Sequence, residues 1–172
     1  MTTNNKILVL GIGNEILGDD RLGIEVVLQL KQQKPQSENI HYLTAPIAGL
    51  DVIDLLLDYN TVIIVDSWIT NRKQKRIRRI EVEDLEHTVT FTSPHQLNLV
   101  TGINLGKKLF PERMPNNIIM LVGEISPVEE FSECFSPDVL RKMPQLVKII
   151  EKEITKILKE TTNDSNYDMR DS

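Results

Sequence analysis

Residues 7–27 read ILVLGIGNEILGDDRLGIEVV: an apolar run, a glycine-rich loop carrying three acids, and the start of an amphipathic pattern. The run KILVLG, residues 6–11, is continuous, strand-length and bounded by glycine, which predicts a strand buried on both faces of a sheet. Beyond the loop, Asp20 is placed to cap a helix whose Gly23, Val26, Val27 and Leu30 share one face, and that helix stops before Pro35. A buried strand feeding a helix through a short loop is the opening half of a parallel crossover unit.

The same alternation recurs downstream. NIHYLT (39–44) predicts a second strand, LDVIDLLLDY (50–59) a helix with Val52, Ile53, Leu56 and Leu57 inward, and TVIIVD (61–66) another buried strand that ends on an acid. KRIRRIEV (75–82) alternates less cleanly and predicts an exposed or edge strand. Ser93 and Pro94 fit the N-cap and first position of a further helix, which puts His95 in its first turn. NIIMLVGEI (117–125) predicts the last strand. In the final helical pattern, 136–160, Leu146, Val147, Ile150, Ile154 and Ile157 share a face, and Pro144 is expected to break or kink it near Met143. The sum is an α/β fold, a three-layer αβα sandwich of about five strands and four helices. Residues 1–160 form a single domain in this reading, followed by a tail, 161–172, expected to fray.

Composition narrows the class. A chain of 172 residues suits one domain, and its 40% hydrophobic and 26% charged residues are globular values. No apolar run approaches the ~20 residues of a membrane helix, and the N-terminus lacks the layout of a signal peptide, so the expected location is the cytoplasm. A single cysteine, Cys134, excludes an internal disulfide. The net charge of −5 argues against a general nucleic-acid binder. Arg72, Lys73, Lys75, Arg76, Arg78 and Arg79 are a local basic exception, read as a solvated loop and edge strand in preference to a docking patch, because Glu81, Glu83, Asp84 and Glu86 follow at once.

The opening loop decides between two chemistries. Gly11-Ile12-Gly13 hints at a dinucleotide fingerprint, but Gly18 is out of register, the second strand ends in Thr44 without an acid for the ribose, and Glu15, Asp19 and Asp20 would repel a phosphate. A cation reverses the sign. Glu15 follows the first strand, Asp66 ends a later one, and open α/β sheets bind ligands outside the carboxyl ends of their strands. Of the three histidines, His95 is the one aimed by a rigid Ser-Pro turn. His41 lies within a strand and His87 in an acidic segment. Two carboxylates and an imidazole suit nickel, zinc or another first-row dication. Spacing leaves the plain alternative open, with Asp66 capping a turn, Glu15 solvated and His95 bonding a carbonyl. Cys134 lacks a neighbouring histidine for nucleophilic work, Ser93 is better as an N-cap, and Trp68 is balanced between capping the core and touching a substrate.

LGIGNEILGDDRLGIEVV, VIIVDSW, SPHQLNL and LVGEISPVEEFSECFSPDVLRKMPQLV, in this order between Lys6 and Glu153, together resemble the hydrogenase maturation endopeptidases. These proteins trim the C-terminal extension from the large subunit of nickel–iron hydrogenases. The resemblance implies a twisted, mostly parallel five-stranded sheet between helix layers. It also implies a nickel-recognition set of Glu15, Asp66 and His95, the residues that would act in recognition or catalysis. The nickel arrives with the precursor, and another divalent cation is expected to take the same site in vitro. The implied partner is a hydrogenase large-subunit precursor, and the protease is expected to be a monomer. The rival function is a metal-sensing assembly chaperone that binds the precursor without cutting it. Two positions depart from the family pattern: Arg21 stands where glycine is usual, and Thr44 where many relatives have aspartate.

Overall fold

The computed structural model describes residues 5–16, 18–34, 37–46, 50–82, 94–127 and 134–168, with 94–97 and 161–168 as backbone only. Five strands, β1 (Ile7–Gly13), β2 (Ile40–Pro46), β3 (Thr61–Ile69), β4 (Ile77–Glu81) and β5 (Asn117–Ile125), form one sheet in the order β2-β1-β3-β5-β4. The first four strands in that order run parallel, and β4 closes one edge antiparallel to β5. Among the described residues the named helices are α1 (Leu22–Gln33), α2 (Val52–Leu56), α3 (Pro94–Leu109) and α4 (Pro137–Asp168), with a 3-10 turn at Gly18–Arg21. The α/β sandwich expected from the sequence is the observed architecture.

Strand alternation sorts the buried side chains into two cores. Leu8, Leu10, Val62, Ile64 and Met120 face one side, where Val52, Leu56, Leu99 and Ile103 bring in α2 and α3. Ile7, Val9, Ile63, Val65 and Leu121 face the other, against Val26, Leu30, Leu146 and Ile150 of α1 and α4. Burial on both faces is why these strands read as unbroken apolar runs, each large aliphatic side chain contributing about 1.5–3 kcal/mol. At Gly23 the start of α1 lies flush on the sheet: a Cβ there would stand 2.1 Å from the carbonyl oxygen of Val65 and 2.3 Å from that of Ile12. Gly11, Gly13 and Gly23 therefore serve close packing, with no phosphate needed to explain them.

Several boundaries differ from the sequence reading. Strand β3 runs on to Ile69, because β5 offers partners as far as Ile125, so Asp66 lies within the strand, opposite Val122. Helix α2 ends at Leu56, short of the expected Tyr59. Asp58 takes a positive φ of 67°, and its carboxylate accepts two hydrogen bonds from Arg113, at 2.9 and 2.6 Å. Asp20 does not cap α1; Arg21 precedes that helix, which has no side-chain cap, while Asp20 is committed elsewhere. Pro144 does not end α4. Met143, Leu146 and Val147 around it are buried, whereas Pro144 and Leu140, whose carbonyl loses its helical partner, are exposed to water. Packing along the inward stripe outweighs the proline's cost of roughly 3 kcal/mol.

Candidate functional site

The three acids of the opening loop have three different fates. Glu15 lies exposed in the turn after β1. The Asp19 carboxylate accepts the Ser136 backbone N–H at 2.7 Å, tying the loop to the start of α4. Asp20 turns inward and is buried, and its carboxylate accepts a hydrogen bond from the Ser67 hydroxyl at 2.5 Å. Gly13 permits that inward turn, since a Cβ there would lie 2.2 Å from the Asp20 carbonyl oxygen.

Ser67 follows Asp66, and through it the loop acid is held to β3. Asp66 is 5% exposed. It shares its alternation with Ile64 and Trp68, on the sheet face that α2 and α3 cover. Burial pushes its carboxyl up to about 8; the Ser67 backbone N–H, at 2.8 Å, opposes that rise, and the negative charge of Asp20 adds to it. The Ser67 hydroxyl alternates to the other face of β3, so Asp20 acts on Asp66 through its charge and from across the strand, and Asp66 holds a proton at neutral pH. A buried acid with no ion pair among the described residues is a donor that would suit a divalent cation, which would displace its proton.

Of the loop acids, Asp20 is the one whose charge acts on Asp66, while Glu15 is exposed. His95 stands at the second position of α3, in the first turn as expected, on the helix layer that covers the Asp66 face. Its side chain lies outside the described residues, as do Ser93 and His87. Among the described residues no group of three or more His, Cys, Asp or Glu side chains is gathered closely enough to hold a metal ion. In the sequence Asp20 read as a helix cap and as one of three acids that repel a phosphate. The signal for its actual role is the adjacent Asp-Asp pair, since one acid that clamps α4 leaves the next to point into the sheet.

The other residues singled out by sequence fall into place as structure. Trp68, 6% exposed, belongs to the core. His41 lies in β2 with Nδ1 2.8 Å from the Tyr59 hydroxyl. Cys134 lines a cavity of about 300 Å³ with Gly18, Asp19, Ser126 and Phe135. Of the two departures, the Arg21 guanidinium lies 4.7 Å from the centre of the Phe135 ring, and Thr44 is exposed on β2 opposite Gly11. The basic cluster conceals a partner that sequence reading missed. Glu124, 1% exposed, accepts the Arg76 backbone N–H at 2.9 Å and faces Arg72 and Arg78 at 3.5 and 3.8 Å.

Comparison with known proteins agrees with this architecture. A family model described as hydrogenase maturation protease matches residues 24–153. The chain is 32% identical over 97 residues to the hydrogenase 2 maturation protease of Escherichia coli; the match spans 55% of this chain and 58% of that relative's length. It is 22% identical over 155 residues to the hydrogenase expression/formation protein HupD of Thiocapsa roseopersicina, covering 87% of this chain and 67% of HupD. The solved structure of the hydrogenase maturating endopeptidase HybD from E. coli superposes with a TM-score of 0.71 at 23% identity, over 88% of this chain and 93% of that one, and shares the fold. No described helix is long and apolar enough to cross a membrane. With a family match over most of its length and the expected sheet beneath it, this chain belongs to the hydrogenase maturation proteases.

Proposed function

We propose that this chain is an endopeptidase that removes the C-terminal extension of a hydrogenase large-subunit precursor, and that it recognises the nickel which the precursor carries. The observation that supports the reading most is the buried carboxyl of Asp66 toward the carboxyl end of β3, without an ion pair among the described residues and under the negative charge of Asp20, in a chain of this family. Asp66 receives the substrate-borne cation and gives up its proton as the positive charge arrives. Asp20, held by the Ser67 hydroxyl, adds a second negative charge close by. His95 adds an imidazole from the first turn of α3, and Glu15 is an exposed acid at the rim where the precursor enters. An incomplete protein ligand set suits an ion still held by another protein, because vacant positions let it be shared. Bound there, the ion would polarise the scissile carbonyl or acidify an attacking water, and a carboxylate of the site would take a proton.

Incubating the chain with nickel-loaded precursor and following the precursor's mass tests this. A loss equal to the C-terminal extension, absent with metal-free precursor, is expected. An unchanged mass with a stable complex would instead make the chain a non-proteolytic assembly chaperone.

A further inference from the structure

The opposite end of the molecule carries a different electrostatic feature. Helix α4 begins at the carboxyl end of the sheet, where the Lys142 Nζ donates to the Glu124 carbonyl oxygen at 2.9 Å. It then runs toward the amino end, where Glu151 meets Lys34 at 3.3 Å, just ahead of β2. Along this second half of α4, Lys148, Lys152, Lys156 and Lys159 recur at spacings of four, four and three residues and so fall on one stripe of the helix. With Lys34 they line a groove of about 770 Å³. Five ammonium groups there face two carboxylates, Glu151 and Glu160, which leaves a local positive excess in a chain of net charge −5.

We infer that this groove docks an acidic segment of a partner protein. The lysine stems provide methylene walls while their charged heads stay at the rim, which is how such side chains accommodate a polypeptide without desolvating the charge. Successive lysines four residues apart rise about 6 Å along the helix. Alternate residues of an extended chain advance about 6.6 Å, so a segment with Asp or Glu at every second position keeps step with the stripe. The groove lies at the amino end of the sheet, away from Asp66, and does not depend on the protease reading.

Fluorescence anisotropy of a fluorescein-labelled (Glu-Ser)6 peptide on the full chain tests the inference. Binding that weakens with added salt is expected. Replacing Lys148, Lys152, Lys156 and Lys159 by Gln keeps helix-forming residues and the stems; circular dichroism checks the fold. This variant should bind about tenfold or more weakly, whereas the same four-charge change at Lys73, Lys75, Lys107 and Lys108 should alter affinity by about twofold or less. Equal losses in the two variants would overturn the inference, as would absence of peptide binding. Tighter binding of a fluorescein-labelled thymidine dodecanucleotide than of the peptide would assign the groove to phosphate and overturn it as well.

Discussion

Two buried carboxylates lie near the same edge of the sheet, on neighbouring strands, and their surroundings could hardly differ more. Glu124 on β5, paired in register with Trp68 of β3, sits among two guanidinium groups and a backbone N–H. Asp66, two residues before Trp68, has no ion pair among the described residues, and the charge that reaches it is the like charge of Asp20. Burial of an acid is therefore uninformative until its neighbours are counted. A compensated carboxylate holds structure together; an uncompensated one stores free energy that an arriving cation can release.

The largest expected effect comes from Asp66→Asn. The amide keeps the acceptor for the Ser67 N–H but cannot carry a charge to a metal ion, so processing of nickel-loaded precursor should fall by about 100-fold or more. Stability should move the other way. Between an ordinary carboxyl value of 3.8 and its folded value of about 8, the folded chain holds a proton on Asp66 that the unfolded chain has lost, so the wild type loses stability as pH rises across that window. Each pH unit carries at most about 1.4 kcal/mol from this one group. The variant should lack that slope and melt several degrees higher than the wild type at pH 8, by thermal unfolding followed at a series of pH values. A parallel pH dependence in the two proteins would show that Asp66 is compensated after all.

Asp20→Asn sharpens the same contrast with a smaller effect. Removing the neighbouring charge should lower the pH at which Asp66 titrates, without returning it to 3.8, because burial is the larger cause and remains. The midpoint of the pH-dependent stability profile should shift down, and processing should fall by roughly tenfold, since the negative charge that favours a cation at Asp66 is reduced. An unmoved midpoint would separate the two acids.

Glu124→Gln probes the other side of the comparison. It leaves the Arg72 and Arg78 guanidinium groups without their buried partner. Both arginines are largely exposed, so water limits the loss, and the expected destabilisation is about 1–3 kcal/mol, read as a melting temperature lowered by several degrees. Processing at a temperature where the variant is folded should stay within about threefold of wild type. A collapse of activity there would give this ion cluster a role beyond support.

What was legible in the sequence follows from these cases. Strands β1, β3 and β5 were visible because burial on both faces demands unbroken runs such as VIIV and IIMLV, too short for a helix and rich in β-branched residues. Boundaries were less visible because they depend on partners. Thus β3 continues past Asp66 as β5 continues beside it, and α2 stops where Asp58 meets Arg113 from another part of the chain. Asp66 was readable as an acid closing an apolar run. Glu124 was just as conspicuous an acid in LVGEI, but its meaning depended on arginines 46 to 52 positions earlier that local spacing could not join to it. Choosing among Glu15, Asp19 and Asp20 required knowing which way a tight loop turns its side chains.

That choice gives the smallest expected effect and the most direct test of the comparison. Glu15→Gln changes an exposed side chain with no core contact, so stability should stay within about 0.5 kcal/mol of wild type. The pH profile of stability should keep its fall toward pH 8, because neither the burial of Asp66 nor the charge of Asp20 is altered. Processing should drop less than in Asp20→Asn. If the order were reversed, with Glu15→Gln the more damaging substitution and Asp20→Asn nearly silent, the loop would have to reorganise when the precursor binds. The two buried acids would then describe only the resting protein, and the rim acid would be the group that meets the metal.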